Sequence, residues 1–431
     1  MNTRLFRRSR KNDSYRNKNR KSHSQKQLRS ELLEQRQMLT TFTVTNLADN
    51  GPGSLRDAVE QANAEPGEDV IQFDSSLPNG GNIELTGDAI EVSDFVTIDG
   101  DSVTIDGNGN SRIFDITAPS ENTENRVTLR NMTITNGSAV GDGGGVRSTA
   151  NLTINNVDIR NNTATGNGGG VANIGSTTVL NSSVSFNDAD ENGGGIRTNG
   201  PTRVVDSEVN SNSAIDNGGG IDANKGPGDN ETLEIINTTV SDNGGKNGGG
   251  ISSDFSVASF VNSRITDNRA TEDGGGLRIL DGGGEVPDVQ IRQTEISGNS
   301  TLLGDGGGIK ALYSRLCIED SQIQDSSAEN GSGGGISTKA TRVILKGSDV
   351  SRNTAAVDGG GINAVDDSNF EIKDGSNVDD NTAKTGGGIF VFDSDIQMQD
   401  SSLSGNTANG TGGFSEGNGG GAAIFQQSLF D

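Results

Sequence analysis

A Gly-Gly-Gly triplet recurs eleven times, starting at residues 143, 168, 193, 218, 248, 274, 306, 333, 359, 386 and 419, and this period limits what the chain can fold into. The first three intervals are 25 residues each, and the others run from 26 to 33. Ten triplets are followed at once by a large aliphatic: Val146, Val171, Ile196, Ile221, Ile251, Leu277, Ile309, Ile336, Ile362 and Ile389. Each copy also holds a second aliphatic anchor, such as Ile159, Val184, Val209 or Ile265. Ser or Thr stands two residues before the anchor in nine copies. Asn stands three after it in nine, from Asn162 to Asn406, and Ala five after it in nine.

These offsets describe strands. Aliphatics seven and five before the anchor, as at Leu152 and Ile154, alternate with period two, as do the positions two before it and at it. The odd step between the two pairs puts a corner there. The aliphatic after each triplet opens a third short strand. Such a unit is one rung of a parallel β-helix, with rungs stacked ~4.8 Å apart. Asn suits a tight left-handed corner, and stacked Asn side chains can bond to one another as a ladder. A leucine-rich repeat shares the period, but the triplet regions cannot supply its convex helix. The pattern predicts an all-β, single-stranded parallel β-helix of about fourteen rungs; that it is right-handed is what the family resemblance given below implies, backed by the rule for parallel crossovers.

A solenoid needs capped ends. Ser54-Leu55-Arg56-Asp57-Ala58-Val59-Glu60-Gln61-Ala62 reads as a short capping helix: Ser54 is the N-cap, Asp57 completes a capping-box variant, and Leu55, Ala58, Val59 and Ala62 share one face. Residues 41–140 are expected to hold this cap and irregular first rungs, including Thr97-Ile98-Asp99-Gly100 and Thr104-Ile105-Asp106-Gly107. Residues 141–431 hold the regular Gly-rich repeats, with insertions at Lys225–Asp229 and Asp281–Glu285.

Charge divides the chain. Residues 1–36 carry twelve Lys/Arg against three Asp/Glu, a net of +9, whereas the other 395 carry 22 against 56, a net of −34. Residues 1–40 are read as a basic, disordered export or targeting segment, and the acidic body argues against a nucleic-acid partner. With one His (His23), one Cys (Cys317) and no Trp, His-based triads, disulfide frameworks and Cys-based zinc sites are excluded. No run approaches the ~20 apolar residues of a membrane-spanning helix.

Several motifs resemble known families. Leu32-Leu33-Glu34-Gln35-Arg36-Gln37-Met38-Leu39 resembles the LEPR-x-L-L leader of secreted planctomycete proteins, with Gln35 in place of proline. Val44-Thr45-Asn46-Leu47-Ala48-Asp49, running into Ser54–Val59, resembles the C-S-L-R-E-A-type module of bacterial β-helix surface proteins, with Gly53 replacing its cysteine and Asp57 its glutamate. The repeats are similar to those of polymorphic outer-membrane proteins, with G-G-G-I for G-G-A-I and V/I-x-x-N for F-x-x-N. The resemblance implies export to the cell surface, the outer membrane or the extracellular space, and a monomeric adhesion or interaction scaffold binding a polysaccharide or surface protein. Autotransported members end in a membrane barrel; this chain runs ten residues past its last triplet, so none is expected.

The rival reading is a polysaccharide lyase or hydrolase, because pectate-lyase-like enzymes resemble this scaffold. Two sets of residues bear on it. Asp or Asn precedes nine triplets (Asp142, Asn167, Asn192, Asn217, Asn247, Asp273, Asp305, Asp358, Asn418), where stacked carboxylates could hold Ca²⁺ or, more simply, form Asx-turns. Arg147, Arg197 and Arg278 follow the triplet aliphatics and could line one face. No unique catalytic cluster interrupts the period, so no catalytic residue, required cofactor or defined metal site is assigned. Ser326 breaks the Asn row.

Overall fold

A computed structural model describes residues 39–117, 126–224, 232–255, 257–280, 288–410 and 419–425. The basic segment as far as Met38, the bodies of both insertions, Asn418 and the last six residues lie outside this set. The described residues form a right-handed parallel β-helix. Its strands make three parallel sheets of 24, 13 and 11 strands, called here the long sheet, the triplet sheet and the short sheet.

The triplet sheet runs the length of the solenoid with equivalent residues in register, so that Val146 pairs with Val171, Val171 with Ile196, and Ile196 with Ile221. Those four side chains have no exposed surface. Burying a Val or Ile contributes ~1.5–3 kcal/mol, so the stacked aliphatic rows hold the rungs together. Glycine is needed before them because the chain turns inward there. Gly168 has φ +68°, and a Cβ on Gly170 would sit 2.6 Å from the Gly195 carbonyl oxygen of the next rung.

The long sheet takes two strand segments from most rungs, for example Thr177–Leu180 and Ser183–Ser185. The expected corner between them is a bend at a left-handed residue: Asn156, Asn181, Asp206 and Asn237 have φ of 56°, 48°, 50° and 50°. The following Ser or Thr repairs the interrupted pairing. The Ser182 backbone N–H donates to Ser207 Oγ (3.1 Å), and Ser207 Oγ donates to the Val205 carbonyl (2.7 Å). A fourth segment of two residues per rung, such as Thr163–Ala164, builds the short sheet, which the sequence pattern did not separate.

The Asn ladder forms, but the left-handed residue is not the Asn itself. Positive φ falls one position earlier, at Asn161, Phe186, Ser211, Asp242 and Arg352. That frees the Asn to turn inward, where Asn187 and Asn268 are almost fully buried. Asn187 Nδ2 donates to Asn212 Oδ1 (3.0 Å) and to the Ile159 carbonyl (2.9 Å), and its Oδ1 accepts from the backbone N–H and Nδ2 of Asn162. Every hydrogen of the amide group is used, which is what makes a buried Asn acceptable. Ser326 keeps the backbone links of the row, accepting from the Asn299 N–H and donating its own N–H to Asn353 Oδ1.

The N-terminal cap is a helix at Leu55–Ala64 with Leu55, Ala58, Val59 and Ala62 buried. Ser54 accepts from the Asp57 N–H, and Asp57 reaches back to the Gly53 N–H (2.7 Å), one residue before the usual capping-box position. The two Thr-Ile-Asp-Gly runs share one strand, Val96–Asp106, except for the closing Gly107, and the strand turns at Asp101 and Ser102 with φ of 45° and 70°. The triplet sheet has 13 strands among the described residues, one fewer than the fourteen rungs expected.

Candidate binding face

The residue directly after each triplet aliphatic points outward, and parallel register places these residues in one column. From one end it reads Asp115, Arg147, Ala172, Arg197, Asp222, Ser252, Arg278, Lys310, Ser337 and Asn363. The structure therefore brings Arg147, Arg197 and Arg278 onto a single face, as their common offset suggested. Sequence reasoning missed Asp222 and Lys310, although the same offset marks them, and Asp115, which lies before the first triplet and joins the column by pairing with Arg147.

The column is set deep. Asp222 has no exposed surface, and Lys310, Ser252 and Asn363 are buried. Arg147 Nη1 donates to both oxygens of Asp115 (3.1 and 3.0 Å), which also pairs with Arg112. Arg197 sets Nε 3.1 Å from Asp222 Oδ2 and donates from Nη1 to the Thr198 carbonyl (2.8 Å). Lys310 Nζ donates to Asp305 Oδ2 (2.7 Å) and to Ser337 Oγ (3.1 Å). Burial pushes the Asp222 carboxyl up to about 7, and Asp254 adds to that rise; Arg197, Ser252 and Arg278 only partly oppose it. Loss of water outweighs the ion pair, as is usual for buried charges.

Buried polar atoms without a protein hydrogen bond collect here. They are Arg197 Nε, Asn199 Oδ1, both Asp222 oxygens, Arg278 Nε and Asn363 Oδ1; the others among the described residues are Asp69 Oδ2 and Ser314 Oγ. Above Ala172, whose side chain ends at Cβ, lies a cavity of about 100 Å³ lined by Asp142, Arg147, Asn167, Ile174, Arg197 and Asn199 among others. A larger cavity of about 290 Å³ follows the bend of the long sheet at Asn131, Asn156, Asp158 and Asn181. Its Asn side chains are already engaged rung to rung, with Asn156 Nδ2 donating to Asn131 Oδ1 (2.8 Å) and Asn131 Nδ2 to Asp99 Oδ1 (2.8 Å).

The residues preceding the triplets form another ladder rather than isolated Asx-turns. Asn192 Nδ2 donates to Asn167 Oδ1 (2.9 Å), Asn217 Nδ2 to Asn192 Oδ1 (2.8 Å) and Asn247 Nδ2 to Asn217 Oδ1 (3.1 Å). The row continues through backbone N–H groups, with Asp305 donating to Asp273 Oδ1 (2.9 Å) and Asp358 to Ser332 Oγ (3.3 Å). No group of three or more His, Cys, Asp or Glu able to hold a metal occurs among the described residues. Within them, no helix is long and apolar enough to cross a membrane.

No curated protein matches the sequence. Among solved structures, the A-module of mannuronan C-5 epimerase AlgE6 from Azotobacter vinelandii is similar at 14% identity and a TM-score of 0.42, over 90% of this chain and 100% of that one. Residues 249–430 match the family model described as a right-handed β-helix region, and the same rung register continues N-terminally from them to the capped end.

Proposed function

We propose that the chain is an exported cell-surface or extracellular interaction scaffold, and that the outer face of the triplet sheet is its recognition surface. The observation that carries this is the charged column itself. Buried donors and acceptors without a protein hydrogen bond are costly, and most of those among the described residues lie along this one strip, even where an ion pair such as Arg197–Asp222 is within reach. The leader-like segment and the module resemblance support export.

A polysaccharide lyase or hydrolase on the same face is the second reading, favoured by a carboxyl near neutrality between Arg197 and Arg278. Against it stands the burial of Asp222, because a general base must come within ~2.6–3.2 Å of the proton it takes. The test is to incubate the full chain with acidic and neutral polysaccharides, with calcium and with chelator, and to follow both components by size-exclusion chromatography. Intact polymer that carries the protein to earlier elution is expected. Shortened polymer would replace the scaffold by the enzyme, and loss of co-elution in chelator would place Ca²⁺ at the interface. No co-elution with any polymer would overturn the reading of this face as a polysaccharide-binding surface.

A further inference from the structure

We propose that the cavity above Ala172 is a subsite for the carboxylate of an acidic sugar, within an extended polysaccharide lying along the solenoid axis. This rests on the scaffold reading above and adds the chemical class of the ligand.

The cavity is built by register. Arg147, Ala172 and Arg197 occupy consecutive rungs, so the two arginines flank the alanine with their backbones about 10 Å apart. Two long cationic side chains beside a methyl group leave a notch. Its volume of about 100 Å³ equals roughly three water molecules, room for a carboxylate and little more. Both guanidinium groups are held in place. Asp115 fixes Nη1 of Arg147, while Asp222 and the Thr198 carbonyl hold Nε and Nη1 of Arg197. A guanidinium carries five N–H donors in a fixed fork, so each retains donors beyond these contacts. Prealigned arginines suit planar, bidentate recognition of a carboxylate.

The rims point to a sugar. On one side Ile174 is 60% exposed, offering an apolar edge to the C–H face of a ring. Beside it Asn199 Oδ1 is a buried acceptor without a protein donor, suited to a hydroxyl. On the other side Asp142 accepts both the backbone N–H and Nδ2 of Asn167, which engages the one acidic group in the lining. A peptide is the poorer fit. It binds sheets by adding a strand to an edge, and here the strands of this face pair with the rungs before and after them. A stiff polymer bearing carboxylates at intervals can instead follow the column, with Arg278 further along the same line. The acidic body repels polyanions elsewhere, so the fixed guanidinium donors of Arg147 and Arg197 are where a carboxylate finds direct hydrogen bonds.

The experiment measures binding of polygalacturonate and of its carboxyl-reduced, neutral form by titration calorimetry. The full chain is compared with Ala172→Leu, Arg147→Ala and, as a control on the long sheet, Arg203→Ala. Ala172→Leu fills the notch without touching an ion pair, and Arg147→Ala removes one wall without entering the core. We expect the acidic polymer to bind the native chain and the neutral form to bind at least tenfold more weakly. Ala172→Leu and Arg147→Ala should each weaken polygalacturonate binding about tenfold or more, the loss of one charge-assisted contact, while Arg203→Ala leaves it unchanged. Native-like affinity in both notch variants would overturn the subsite. Equal binding of both polymers, lost together in Ala172→Leu, would overturn the carboxylate and leave the scaffold reading intact. Failure of both polymers to bind the native chain would overturn the carboxylate subsite, and co-elution with another polymer in the chromatography above would then keep the scaffold reading.

Discussion

The long sheet and the triplet sheet carry their outward charges in opposite ways. On the long sheet, Arg203 pairs with Glu234 (3.0 Å), Arg264 with Glu295 (3.0 Å) and Lys346 with Glu319 (2.7 Å), and every one of these side chains is at least a quarter exposed. On the triplet sheet the Arg197–Asp222 pair has side-chain exposures of 16% and 1%. The backbone does the same thing in both places, stacking equal offsets at one rung spacing. What differs is cover: Asp222 has arginines one rung before it and two rungs after it, separated on the second side only by Ser252. Exposed pairs of the first kind contribute ~0–1 kcal/mol, whereas a buried pair punishes the loss of either partner. Charge on the long sheet stays in contact with water, pair by pair. Charge on the triplet sheet, at the Arg197–Asp222 pair, is held in fixed geometry at a desolvation cost.

The sharpest break of this comparison is Arg197→Ala. At pH 8 it strands the Asp222 carboxylate and should lower the stability of the surrounding rungs by about 3 kcal/mol, read from urea denaturation. At pH 5 Asp222 is largely protonated, so the loss should shrink. Asp222→Asn follows in size and has the opposite sign. The native carboxyl is raised from 3.8 to about 7, so between roughly these values the folded chain binds more protons than the unfolded one. Stability therefore falls as pH rises through that window and levels off above it. Asn cannot ionise, so the variant should match the native chain near pH 4 and exceed it at pH 8. The gain should be on the order of 2 kcal/mol, less than the full shift because Arg197 loses its counter-charge. A pH profile unchanged by the substitution would show that Asp222 is not buried as an ion.

Much of this was legible in the sequence. The triplet period gave the rung, the aliphatic rows the core, and Ser54 with Leu55, Ala58, Val59 and Ala62 the cap, because each is a local pattern with one physical cause. The left-handed positions were not legible. Asn161, Phe186, Ser211 and Arg352 all adopt positive φ at the same offset, so closure of the rung sets the bend and overrides the preference of the residue. Phe186 makes the point best, being bulky, 60% exposed and still left-handed. The single strand shared by both Thr-Ile-Asp-Gly runs was hidden for the same reason: Asp101 and Ser102 supply the bend without a glycine at either position. The site was half legible. Offset alone assembled Arg147, Arg197 and Arg278, but an offset cannot say whether a column is solvated. The burial of Asp222 arises from the arginines stacked near it, and that is a property of rungs in register.

The smallest effect is the control on the long sheet, and it tests the comparison from the other side. Arg203 and Glu234 sit 3.0 Å apart with side-chain exposures of 49% and 42%, so water and salt compete for both. Arg203→Ala should change stability by no more than ~1 kcal/mol, and the change should vanish in high salt. It removes no buried partner, because Glu234 regains its water shell once the arginine is gone. A cost approaching that of Arg197→Ala, or one indifferent to salt, would mean that exposed columns also lock the rungs, and the two faces would then differ in accessibility alone. A small, salt-sensitive cost would leave burial as the property that sets the triplet face apart, since the two columns share their spacing, their chain direction and their pairing chemistry.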